Sequence, residues 1–270
     1  MRHQHRGGRW PVPVLRQYVC LGRRQPGRGD VYLPVKAAAV VQFALAYVLF
    51  MTAHLVPAAP HLRGFAVRAL GRRAYLVLYS LASLLLLVWL IAAARSAPTL
   101  FLWPLTPELV LVPLIAMPFA FTLVVAGLLQ PNPLSVSWRG GVFDPARPGI
   151  VAVTRHPVLW GFLLWALSHV TVNGDMVSVA LFGGLALYAV AGFGLADKRA
   201  KSRLGPDRWS TLAARTSIIP FAAILNGRAR LSPDMSTLAG ILGGLALYVA
   251  FLAGGHFWLF GVDPLVFLNP

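Results

Sequence analysis

Five histidines of this chain, His54, His61, His156, His169 and His256, lie inside or beside long apolar runs, and they are the residues that most directly promise chemistry. An imidazole at membrane depth is costly to keep, so it is retained with a hydrogen-bond partner, a metal or a proton to handle. His3 and His5 sit among arginines near the start of the chain and carry no such implication. His156 and His169 are thirteen residues apart, roughly 20 Å along a regular helix, so they cannot ligate one ion together. Two imidazoles on one metal need their nitrogens about 4 Å apart, twice a metal to nitrogen bond of roughly 2 Å. Other chemistries lack a foothold, because the chain has no paired-His zinc helix, Cys-x-x-Cys, nucleophile elbow or phosphate loop. Its eight acidic residues are too few and scattered for a paired-carboxylate site, and Asp175 and Asp263 read as caps at helix ends. With Cys20 as its single cysteine, the chain has neither an internal disulfide nor a thiolate cage.

The elements that must position these histidines are apolar helices. Of 270 residues 57% are hydrophobic and 12% charged, less than half the charged share of about 25% in a soluble domain. About 20 apolar residues cross the hydrocarbon layer as a helix. Residues 74–94, 109–129 and 176–196 carry no charge, residues 35–56 and 235–262 are nearly as apolar, and a shorter run follows His156. The expected fold is therefore all-α, a polytopic bundle of about six transmembrane helices over residues 35–270, preceded by a basic tail over residues 1–34 that reads as coil. Residues 209–225, interrupted by Pro220, are too polar to cross and read as an interfacial or re-entrant piece. The phrase GGLALY occurs at Gly183–Tyr188 and again at Gly243–Tyr248, either as the record of a duplication or as reuse of a small membrane alphabet.

The net charge of +16 is spread between the apolar runs rather than gathered in one basic domain, which excludes nucleic acid as the partner and points to the bilayer. Four arginines fall in residues 57–73, three in 131–155 and eight basic residues in 198–230, against one in 95–107 and none in 173–175. The basic connections belong on the cytoplasmic side, with both termini opposite, although the seven arginines of the tail run against that rule. By depth His54, His61 and His156 then fall on the basic side and His169 with His256 on the other. The pairs to consider are His54 with His156, or His169 with His256.

Several runs resemble the NnrU family of bacterial membrane proteins: His54 with the loop leading to Leu62-Arg63, LGRRAYLVLYSLASLLLLVWLI, VTRHPVLWGFLLWALSHVTVNGD, and HFWLFGVDP, together spanning about residues 37–268. The resemblance implies a multi-pass protein of the bacterial inner membrane, associated with denitrification and nitric oxide metabolism. Relatives of that family include the ζ-carotene isomerases, which use haem b to isomerise a cis double bond; by resemblance their haem-binding histidines correspond to His54 and His169, a pair that the depth argument places on opposite sides. Where some of those isomerases carry a cysteine, this chain has Ala166. A more distant similarity, to isoprenylcysteine carboxyl methyltransferases, rests on Arg155-His156-Pro157, Gly161, Asp197, Leu204-Gly205, Trp209 and Pro220, with Lys198 and Leu212 departing from the pattern.

The leading expectation is a haem b membrane protein, with His54 and His169 as metal ligands by resemblance and His156, His256 and Arg155 near the cofactor. It would carry out redox or cis-trans isomerisation chemistry on a small lipophilic substrate or nitric oxide. The alternatives are a non-enzymatic factor assisting a respiratory or denitrification membrane complex, and an S-adenosylmethionine-dependent methyltransferase.

Overall fold

Backbone in hydrocarbon has no water to bond with, so apolar runs of this length must satisfy their own amides, and they do so as helices. The computed structural model describes residues 29–55, 60–232 and 234–266. The helices are α1 (Gly29–Leu55), α2 (Pro60–Leu70), α3 (Arg72–Ser96), α4 (Pro107–Leu129), α5 (Pro157–Val172), α6 (Met176–Leu204), α7 (Pro206–Ala214), α8 (Ala222–Leu225), α9 (Met235–Ala250) and α10 (His256–Phe260). A 3-10 turn at Gly149–Ala152 leads into α5, and a π-helical turn at Phe251–Gly255 joins α9 to α10. Five helical stretches are long and apolar enough to cross a membrane, Lys36–Leu55, Arg72–Ser96, Pro107–Leu129, Met176–Leu204 and Met235–Phe260. With the shorter α5 they give a multi-pass integral membrane protein of about six spans. The first helix starts at Gly29, inside the stretch expected as tail; residues 1–28 lie outside the described residues. The interfacial piece expected over 209–225 is formed by α7, an extended turn and α8.

α4 is the axis of the bundle, packed between α5 and α9. Close approach to α5 is possible because residue 161 is glycine: a Cβ there would stand 2.5 Å from Val124 Cγ2 and 2.7 Å from the Ala120 carbonyl. On the other flank a Cβ at Gly244 of α9 would meet Thr122 Cα at 2.6 Å. At the basic end the tie is polar. Asp234 caps α9 through the Thr237 amide at 2.8 Å, and Gln130, just past α4, accepts from the Ser236 and Thr237 hydroxyls. α1 and α3 pack on each other through Phe43, Ala46, Leu90 and Ala93, and meet α6 at Val177.

The two GGLALY copies do the same local work in opposite settings. Pro118 has no N–H to offer the Leu114 carbonyl one turn back, and the Tyr248 hydroxyl donates to that carbonyl at 2.8 Å. The His54 carbonyl, in the last turn of α1, likewise accepts from the Tyr188 hydroxyl at 3.0 Å. α6 runs parallel to α1, with Gly184 beside Tyr47 and Tyr188 beside His54, whereas α9 runs antiparallel to α4, with Gly240 beside Ala126 and Gly244 beside Thr122. Because the partner helices run in opposite senses, the repeat is a reused packing device rather than a duplicated helix pair.

Glycine packing yields a contrast that thermal denaturation in detergent can measure. Gly161→Ala should destabilise by about 1–3 kcal/mol through overpacking against Val124 and Ala120. Gly183→Ala, whose Cβ would meet nothing within 4 Å, should be neutral or raise stability by up to ~1 kcal/mol through its helix propensity.

Candidate functional site

His169 lies in the last turn of α5, at the end of the bundle opposite the basic loops. Its Nδ1 is 2.8 Å from the Trp165 carbonyl, and because a carbonyl only accepts, Nδ1 carries the proton. The Nε2 lone pair of the neutral ring is left available. Trp165 and Phe182 flank the imidazole, with ring centroids 5.4 and 5.2 Å away. The end of α5 is pinned by the Asn-Gly-Asp run. Asn173 Nδ2 donates to the His169 carbonyl, the Leu102 amide donates to the Gly174 carbonyl at 2.7 Å, and Asp175 caps α6 through the Ser178 amide. Asp263 differs from the expected helix cap, since its carboxylate accepts from the Leu265 amide in a local turn.

His256 reaches the same place from the far end of the chain. Gly254 adopts φ 125°, a conformation that side chains rarely tolerate, and this breaks the last span just before His256. The His256 Nδ1 donates to the Val262 carbonyl at 2.8 Å, its ring lies 5.0 Å from Phe260, and its centroid is 6.5 Å from that of His169. Two imidazoles sharing one metal through their Nε2 atoms have centroids roughly 6 Å apart, given metal to nitrogen bonds of about 2 Å. Both rings hold Nδ1 on a backbone carbonyl, the arrangement that fixes the tautomer of metal-ligating histidines. Among the described residues no three His, Cys, Asp or Glu side chains converge to hold a metal ion.

His54 lies deeper, against Phe50 and Tyr79, with its Nδ1 on the Phe50 carbonyl at 2.7 Å. Its neighbour on α6 is Tyr188, six residues or about 9 Å of helix from the Phe182 that flanks His169. No contact joins the His54 ring to His169, His156 or His256 among the described residues. His61 is exposed on α2.

His156 and Arg155 belong to a second cluster at the basic end. Arg155 is engaged at every nitrogen: Nε donates to Thr216 Oγ1 at 2.9 Å, Nη1 to Asp197 Oδ2 at 2.5 Å and Nη2 to the Ala213 carbonyl at 3.1 Å. Its guanidinium also lies 5.5 Å from the Trp209 ring centre. These bonds tie the start of α5 to the last turns of α6, to the end of α7 and to the segment that follows it. His156 is fully buried, with Nδ1 2.8 Å from Ser135 Oγ and Nε2 3.2 Å from Asp197 Oδ1, out of hydrogen-bond alignment. Burial holds its pKa down to about 4; Asp197 pulls it upward and Arg155 pushes it down. The sequence similarity to methyltransferases picked out Arg155, His156, Asp197 and Trp209, which do converge. Ser135 and Thr216 were missed, because single hydroxyls in loops carry no pattern.

Removing one partner of this buried pair leaves the other charge without compensation, so Asp197→Ala should cost about 3–5 kcal/mol in thermal unfolding. His156 adds a pH signature. Its folded pKa of about 4 is below the ordinary value of 6.5, so the unfolded chain binds its proton first. Stability is complete above pH 6.5 and should fall by ~3 kcal/mol as pH drops from 6.5 to 4. His156→Gln should flatten that slope.

Comparison with known proteins adds relatives to this geometry. The chain is 41% identical over 86 residues to the chloroplastic 15-cis-zeta-carotene isomerase of Zea mays, and 38% identical over 86 residues to that of Arabidopsis thaliana. In each case the alignment covers 32% of this chain and 23% of the relative, so the chain spans about a quarter of the length of these curated relatives. No solved structure matches. The model of the NnrU protein family matches residues 42–264, which takes in both histidine-bearing ends of the bundle, and the chain belongs to that family.

Proposed function

We propose that this protein is a membrane-embedded haem b protein that isomerises a cis double bond of a lipophilic conjugated substrate. The observation that carries the reading is the His169 and His256 pair, two imidazoles with Nδ1 held by backbone carbonyls and ring centroids 6.5 Å apart. The similarity to isomerases of 15-cis-zeta-carotene supplies the substrate class. A bound haem would provide a redox-active centre able to weaken a conjugated π bond long enough for rotation. The chain itself contributes orientation and exclusion of water. The carbonyls of Trp165 and Val262 set the two rings, and Trp165, Phe182 and Phe260 surround them with apolar surface. The site lies in a transmembrane helix end, where a substrate dissolved in lipid enters without crossing water.

Resemblance to the isomerases points to His54 and His169 as ligands, whereas the geometry pairs His169 with His256. One experiment separates them. The full-length protein, expressed with ample haem and purified in detergent, should show a Soret band that His169→Ala and His256→Ala each reduce roughly tenfold or more, while His54→Ala leaves it in place. Loss with His54→Ala and retention with His256→Ala would move the second ligand to His54. A blank spectrum in the haem-replete protein would overturn the haem reading and favour a non-enzymatic membrane factor. Conversion of 15-cis-zeta-carotene by the loaded protein tests the substrate class.

A further inference from the structure

We infer that the loop cluster after α7 binds the phosphate headgroup of an anionic phospholipid. The segment lies at the level of the membrane surface. The Phe221 amide donates to the Val153 carbonyl at 2.7 Å, and Trp160 Nε1, in the first turn of α5, donates to the Ile218 carbonyl at 2.8 Å. At that level Ile219 is 66% exposed, Phe221 51% and Leu225 83%, more apolar side chain than a water-facing loop would present. Phe221 is the one non-glycine residue with positive φ, 64°, among the described residues, so the backbone bears an unfavourable conformation where an aromatic ring is turned outward.

The same stretch of chain contributes to a cavity of about 230 Å³ whose wall includes Ala146, Pro148, Arg215, Gly227, Arg228 and Arg230 and no acidic residue. Arg228 is structural in part, since its Nη1 donates to the carbonyls of Ala214 and Thr216 and closes the loop. Arg215 and Arg230 are exposed, and their guanidiniums hold no hydrogen bond or ion pair among the described residues. Asp144 lines the neighbouring cavity, and its carboxylate accepts from the amide of Ala146, a residue of this wall, at 2.8 Å. Three guanidiniums around one recess match the oxygens of a phosphodiester. A lipid fits better than a soluble anion, because the exposed Leu225 lies three residues before Arg228 and the exposed Leu231 directly follows Arg230, and with Phe221 of the same loop cluster they offer surface to acyl chains.

The test is native mass spectrometry of the full-length protein released from nanodiscs of equimolar phosphatidylcholine and phosphatidylglycerol. The protein should retain phosphatidylglycerol in preference, and Arg215→Gln with Arg230→Gln should lower that preference about fivefold per arginine. Arg139→Gln, an exposed arginine of the other cavity, should leave it unchanged. Equal retention of the two lipids, or a preference that survives the double variant, would overturn the proposal. So would displacement of phosphatidylglycerol by millimolar inorganic phosphate, which would make the recess a site for a free anion.

Discussion

A carbonyl without a donor is expensive where no water can reach it, and much of this bundle is arranged around that constraint. Pro118 opens such a gap in α4, and the helix survives because Tyr248 comes from α9 to close it. For that hydroxyl to arrive, α9 has to lie almost on the α4 backbone, which Gly240 and Gly244 allow. In the last turn of α1 the His54 carbonyl also accepts a tyrosine hydroxyl, that of Tyr188. Helix placement in this protein thus leans on small residues and on tyrosine hydroxyls that donate to backbone carbonyls of neighbouring helices.

Polar side chains at the two ends of the bundle obey different logic. At the basic end Arg155 has each of its three nitrogens engaged, and His156 is kept neutral by burial. A cluster so fully committed acts as a tie between α5, α6 and the following loop, and it holds the start of α5 in place. At the other end His169 and His256 keep one nitrogen each in reserve, oriented by bonds at the other nitrogen. Rigid supports with a spare lone pair are what a ligand site needs, and α5 links this end to the tie at its start.

Much of the architecture was legible in the residues. The uncharged runs located the spans, to within a few residues except at the end of α6, which continues eight residues past 196 to Leu204, because the length and apolarity demanded by a bilayer leave few alternatives. The Asn173-Gly174-Asp175 run announced the end of one helix and the cap of the next, and a polar segment with Pro220 could not cross. Depth along the helices also separated His156 from His169 and grouped His169 with His256, since rise per residue is a property of the chain alone.

What the chain order could not reveal was which groups meet sideways. The partnership of Tyr248 with Leu114, 134 residues apart, depends on which helices are neighbours and on whether they run parallel or antiparallel. The approach of His256 to His169 depends on the break at Gly254, which periodicity reads as an uninterrupted span. The sequence by itself determined which stretches are helices and the separation in depth of His156 from His169, because hydrophobic length and helical rise are local quantities. The depth of His54, expected level with His156, came only from its contact with Tyr188 on α6, about 9 Å of helix from Phe182. Only the tertiary structure decided lateral pairing, because that is settled by small residues, freed carbonyls and kinks acting between segments far apart in the chain.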